Sequence, residues 1–155
     1  MLIKTMKTRR GWAISGILFT TAILLFAHAA NPQNAPKVES FQARLTPVPI
    51  DVGMQSTVAG IGAATAVLTG KQVTISGTFE GLRSPATTAH IRRAPKGLRG
   101  PVIFELTVSK AMKGTIGGTF ELTPEQISDL TNGRWYAQIQ SERAPDGNLR
   151  GWFLP

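Results

Sequence analysis

The chain contains no cysteine. That excludes disulfides, thiolate metal sites and any reaction that needs a cysteine nucleophile. Histidine is nearly as scarce, with His28 and His90 the only two. Aromatic residues make up 7 % of the chain and include a single tyrosine, so each one is a strong marker of a core or a recognition surface. No glycine-rich phosphate loop opens a long helix, and no paired-carboxylate signature or metal-ligand spacing stands out. This inventory implies no enzyme activity, no bound metal and no cofactor.

A long apolar run occurs once, from Trp12 to Ala27, after a start carrying Lys4, Lys7, Arg9 and Arg10. It ends in Ala27-His28-Ala29, the small-x-small pattern of a signal-peptidase site. The run is short for a ~20-residue membrane span. Residues 1–29 are therefore expected to be a signal peptide cleaved after Ala29, leaving no membrane span and a secreted or periplasmic protein. The alternative is an uncleaved anchor. Residues 30–37 read as a flexible, proline-containing tether, and 38–155 as one domain large enough for a core. The formal charge of +8 overstates the domain's own bias. Four of the cations belong to the leader, so the mature chain is at about +4, too weak to imply nucleic acid.

Past the tether the hydrophobic period is two. Val73, Ile75, Gly77 and Phe79 alternate with threonine and serine. Val102, Phe104, Leu106 and Val108 alternate with Ile103, Glu105 and Thr107. The same holds for Ile116–Leu122 and for Trp135–Ile139. Alternation of this kind suits strands with one buried face, because successive side chains point to opposite sides. Further strands are expected over Val38–Leu45, Thr57–Leu68, Thr87–Arg92 and Asn148–Leu154, separated by Gly, Pro and Asp-Gly turns. Thr123-Pro124-Glu125-Gln126 has the pattern of a capped helix start, and Asn132-Gly133 of its stop. The expected fold is all-β: an antiparallel, Greek-key-like β-sandwich of seven or eight short strands with one short helix at Pro124–Leu130.

Two surfaces are candidates for binding. The stretch "HIRRAPKGLRG" places Arg92, Arg93, Lys96 and Arg99 on a strand end and loop, with Arg143 a candidate neighbour. Such a patch could hold acidic polysaccharide or lipid headgroups, weakly and with strong salt dependence; an ordinary solvated loop is the alternative. The second surface needs the last two strands to pair. Tyr136, Gln138, Gln140, Arg150 and Trp152 would then share one side, a set able to hold a sugar or peptide. That face could instead be covered by the N-terminal segment or the helix turn. A metal-binding or redox role through His90 is the competing function. It lacks further ligands, and Arg92 on the same face repels cations.

The order of "FQARL", "FEGL", "AHIRRAP…GLRGPVIFEL" and "LTPEQISDLTNGRWYAQIQSERAPDGNLRGWF" resembles the CHRD (chordin-type) domain family over residues 38–154. In that family the middle segment reads His-Ile-His and then Gly-Pro-Val, and the end reads Tyr-Val-Asn-Ile-His-Thr and then Pro-x-Gly-Glu-Ile-Arg-Gly. Gly100, Pro101, Val102, Tyr136, Ile139, Gly147, Arg150 and Gly151 fit. Arg92, Gln140 and Asn148 depart from it, standing where the pattern has His, His and Glu. The resemblance implies a secreted β-sandwich module with no established enzymatic activity. It also implies that any chemistry of the family's histidines is missing here. The expectation is a non-catalytic binding module with an envelope or extracellular partner.

Overall fold

The computed structural model describes residues 36–49 and 51–155. The expected leader, its cleavage site and most of the tether lie outside the described residues. Among the described residues no helix is long and apolar enough to cross a membrane.

Among the described residues eight strands form: β1 (Val38–Pro47), β2 (Ile61–Thr69), β3 (Gln72–Glu80), β4 (Ala86–Arg93), β5 (Val102–Val108), β6 (Gly114–Glu121), β7 (Trp135–Ser141) and β8 (Ala144–Trp152). A 3-10 turn at Val52–Met54 lies between β1 and β2, and an α-helix, α1 (Pro124–Thr131), joins β6 to β7. It starts as its sequence demands. The Thr123 hydroxyl accepts from the Gln126 N–H at 3.3 Å and the Gln126 side chain accepts from the Thr123 N–H at 2.9 Å, a complete capping box with Pro124 at the first turn.

All strand pairings are antiparallel, in the order β1-β2-β3-β6-β5-β4-β7-β8, and β8 returns to β1. The fold is thus a closed barrel, which corrects the expected sandwich. The Greek-key element is present: β4, β5 and β6 follow one another, and the connection through α1 brings β7 back beside β4. Four strands, β1, β2, β3 and β6, form one half; β5, β4, β7 and β8 form the other. A sandwich would stack these halves with open edges. Here both edges are joined, but thinly. The β5–β6 edge pairs only Thr107 with Gly117 and Val108 with Ile116. The β1–β8 edge pairs Thr46 with Arg150 and Pro47 with Leu149, supplemented by a bridge from Gln42 to Leu154. Inside the halves, by contrast, β2 and β3 are in register along their whole length. Periodicity shows which face of a strand is buried, not whether an edge finds a partner, so barrel and sandwich read alike in the sequence.

The alternating residues fill the barrel. Phe41, Leu45, Ile75, Ile91, Trp135, Ile139, Leu149 and Phe153 are all at most 2 % exposed. Phe104 is half-buried at the β5–β6 edge, where its ring stacks on Phe120 at 4.3 Å and meets Trp135 at 5.6 Å. Val102 departs from its expected inward position. A β-bulge sets Ile91 opposite Phe104 but Arg92 opposite Val102, so Ile103 is the extra residue and Val102 turns outward. A second, small apolar cluster joins Val48, Met54 and Val58 to Ala144 at the start of β8. It is held there by Asn148, whose side chain accepts from the Ala59 N–H and donates to Ser141 Oγ.

Candidate functional site

The outer face of β4, β7 and β8 carries side chains that point away from the core yet are not exposed. Register sets them in rows. Glu105, His90, Gln138 and Arg150 lie side by side across β5, β4, β7 and β8, and Arg92, Tyr136 and Trp152 form the next row. Tyr136, Gln138, Gln140 and Arg150 are buried, and Trp152 is half-buried. Among the described residues, neither the start of the domain nor α1 provides the hydrogen bonds that cover the Tyr136–Trp152 end of this face. The 94–101 loop between β4 and β5 does. The Gly100 N–H donates to the Tyr136 hydroxyl at 3.0 Å, and the Trp152 indole N–H donates to the Ala94 carbonyl at 3.3 Å. Arg92 Nη1 donates to the Gly100 carbonyl at 2.9 Å. One short loop is thereby tied to three strands.

At the centre lies Arg150. Its Nε and Nη2 both donate to Gln138 Oε1, at 3.3 and 3.2 Å, and Gln138 in turn donates to the Asp146 carbonyl at 2.9 Å. The guanidinium carbon sits 5.2 Å from the centre of the Tyr136 ring and 5.8 Å from that of Trp152, within range of a cation–π attraction. The two rings lie 4.9 Å apart. Burial lowers the Arg150 pKa below the ordinary arginine value; Tyr136 acts against this, and the nearby cations Arg99 and Arg92 lower it further. Arginine nevertheless stays protonated at physiological pH.

The structure divides the sequence's basic set. Arg92 and Arg99 lie close enough to Arg150 to repel it, and Lys96 shares a groove with it. Arg93 points elsewhere. It holds Glu125 at 2.9 Å and Asp129 at 2.7 Å, pinning α1 to the end of β4. Arg143 lies in the β7–β8 turn. It is at the far end of β7 from the loop, because Trp135 pairs with Arg93 and Ser141 with Ala86, a separation of about 20 Å at ~3.3 Å per residue. The second sequence set, Tyr136, Gln138, Gln140, Arg150 and Trp152, is brought together as expected, and Arg92 joins it. Among the described residues, no ion pair links Arg92, Lys96, Arg99 or Arg150 to a carboxylate. Arg92 Nε is buried without a partner.

His90 is part of the same face. Its Nδ1 lies 3.2 Å from Gln140 Oε1, which also accepts from the Thr88 hydroxyl at 3.0 Å. Among the described residues no three of His, Cys, Asp and Glu gather in a metal-binding arrangement.

The sequence reading missed Gln42, Arg44 and Thr46, which line the groove beside Arg150 from the outer face of β1. Their outward parity could be read in "FQARL", where Phe41, Ala43 and Leu45 are buried. Their nearness to β8 could not, because it depends on barrel closure.

The match to known families covers residues 41–153 and is to the CHRD domain. The chain belongs to the CHRD domain family. Among curated proteins and among solved structures, no match to the chain is found. In this CHRD domain the two motif glycines beside the site mark close backbone approaches. A side chain on Gly100 would overlap the Arg93 carbonyl, and one on Gly151 would overlap the carbonyl of Arg44 on β1. Gly100 lets the loop fold down onto Tyr136, and Gly151 lets β1 close against β8. Of the three positions at which the CHRD pattern carries histidine, 90 and 140 touch across neighbouring strands, with His in one and Gln in the other, and 92 holds arginine.

Proposed function

We propose that this CHRD domain is an exported, non-catalytic binding module that holds an anionic component of the cell envelope or its surroundings. One observation carries the reading: Arg92, Lys96 and Arg99 gather near the buried guanidinium of Arg150, which has no carboxylate partner among the described residues. Buried charges are ordinarily paired, since taking an ion out of water costs several kcal/mol. Here the neighbours of Arg150 add repulsion. Gln138 and the two rings stabilise the guanidinium without cancelling its charge, and an incoming anion would supply the missing counter-charge. The aromatic pair and Gln138 hold the guanidinium in one orientation before the ligand binds, which lowers the ordering cost of binding. The leader-like start that ends in Ala27-His28-Ala29 supports export, which would set the module among the polyanions of the envelope.

The test compares the wild type with Arg92→Ala/Lys96→Ala/Arg99→Ala and with Arg150→Gln on an anionic matrix. The wild type is expected to elute at clearly higher salt than either variant, and Arg143→Ala to elute close to the wild type. The exposed cations should contribute about 1 kcal/mol or less each and be screened over ~8 Å at physiological ionic strength. Co-elution of all the proteins would reduce the cluster to a solvated surface and refute the reading.

A further inference from the structure

The shape of the space beside the cluster narrows the class of anion. A groove of about 780 Å³ runs over β2, β1 and β8, within the ~300–1,000 Å³ usual for ligand sites. Arg44, Gln42 and Thr46 on β1 line it together with Lys96, Arg150 and Trp152, and no carboxylate side chain lines it.

Three features discriminate among polyanions. First, Arg150 is 6 % exposed, so only a group that enters the groove reaches it. A bilayer presents its phosphates in a plane and would stop at the exposed cations Lys96 and Arg99. Second, the half-buried Trp152 lines the groove, its N–H fixed by Ala94. An indole held this way offers a ring on which the C–H face of a sugar can lie; a chain of bare phosphates has nothing to place there. Third, the cations alternate with neutral hydrogen-bonding groups, the Gln42 amide and the Thr46 hydroxyl. Those suit a ligand that carries hydroxyls between its charges. The planar fork of an arginine matches a carboxylate in shape as well as charge, and two arginines, Arg44 on β1 and Arg150 on β8, line the groove.

We propose that the groove seats an acidic polysaccharide: a uronate-bearing glycan laid across β1 and β8, its carboxylates on Arg150 and Arg44 and a pyranose ring against Trp152. This rests on the reading that the module binds anions, and names the class.

Titration calorimetry on the purified protein at fixed salt tests it. The probes are oligomers of galacturonate and of mannuronate, the methyl ester of the first, a linear polyphosphate of equal charge, and phosphatidylglycerol vesicles. At least one oligouronate should bind about tenfold more tightly than polyphosphate, and its neutral ester at least about tenfold more weakly than the acid. Trp152→Ala and Arg44→Ala should each weaken uronate binding several-fold. Arg44 is exposed and its replacement leaves the fold alone, so it decides the matter should the Trp152 variant misfold. Equal affinity for polyphosphate and both uronates, or vesicle binding without uronate binding, would overturn the glycan assignment and leave the anion-binding reading standing. Failure of every anion to bind would overturn both.

Discussion

At the residue scale, neighbouring arginines take opposite roles. Arg92 and Arg93 are adjacent in sequence, so strand alternation sends their side chains to different places. Arg92 lies against Gly100 on the outer face; Arg93 goes to the carboxylates of α1. Asp129 is 7 % exposed and its remaining cation, Arg134, stands 3.8 Å away. Replacing Arg93 with alanine would leave a buried carboxylate poorly paired. The expected loss is about 1–2 kcal/mol, below the full cost of a broken buried pair because Arg93 is itself 41 % exposed. Chemical denaturation measures this loss. The same variant should shift elution from an anionic matrix less than Arg92→Ala does. A larger shift in elution for Arg93→Ala, with stability untouched, would reverse the roles assigned to the two. Composition and spacing showed a run of cations here. Which of them finds a carboxylate depends on α1 landing beside the end of β4, a tertiary event with no local signal.

At the element scale, strand parity and the helix cap were legible, and strand closure was not. The capping box at Thr123 and the buried alternation of β3 follow from local chemistry, so they could be read directly. The bulge at Ile103 turns Val102 over, and the adjoining Gly100-Pro101 reads as a turn rather than as a bulge, so the parity rule failed there. The groove depends on how closely β1 meets β8, and that approach is set at Gly151, whose missing side chain makes room for the Arg44 carbonyl. Gly151→Ala is expected to destabilise the protein by about 3 kcal/mol, since the overlap is with backbone and cannot be relieved by a rotamer change. It should also weaken anion binding by more than the stability loss alone explains, because Arg44 and Arg150 would move apart. Unfolding curves and calorimetry under fully folded conditions separate the two effects. A variant as stable as the wild type would show that β1 and β8 do not approach as described.

At the scale of the whole molecule, a barrel closed by one long-range pairing between its first and last strands brings together residues that the chain keeps more than a hundred positions apart, such as Arg44 and Arg150. The candidate site is therefore built partly from groups that no window of sequence contains, and only the β7–β8 half of it, linked by a tight turn, could be seen in advance. The same closure has a mechanical side. At the β1–β8 edge Gln42 and Leu154 exchange two backbone hydrogen bonds, 2.7 and 2.9 Å long, and the opposite edge holds only two residue pairs. These edges act as clasps between two half-shells, and a clasp can spring open without melting either half. Amide hydrogen exchange should then find the protons of Gln42 and Leu154 leaving well before those of Ala66 and Ile75 in the continuous β2–β3 ladder. Simultaneous release of all four, only on global unfolding, would show a single rigid shell. A polymer resting over β1 and β8 would work as a latch on the first clasp. It would slow the escape of those two protons far more than any others, and exchange at two amides would report occupancy of the groove that both residues border.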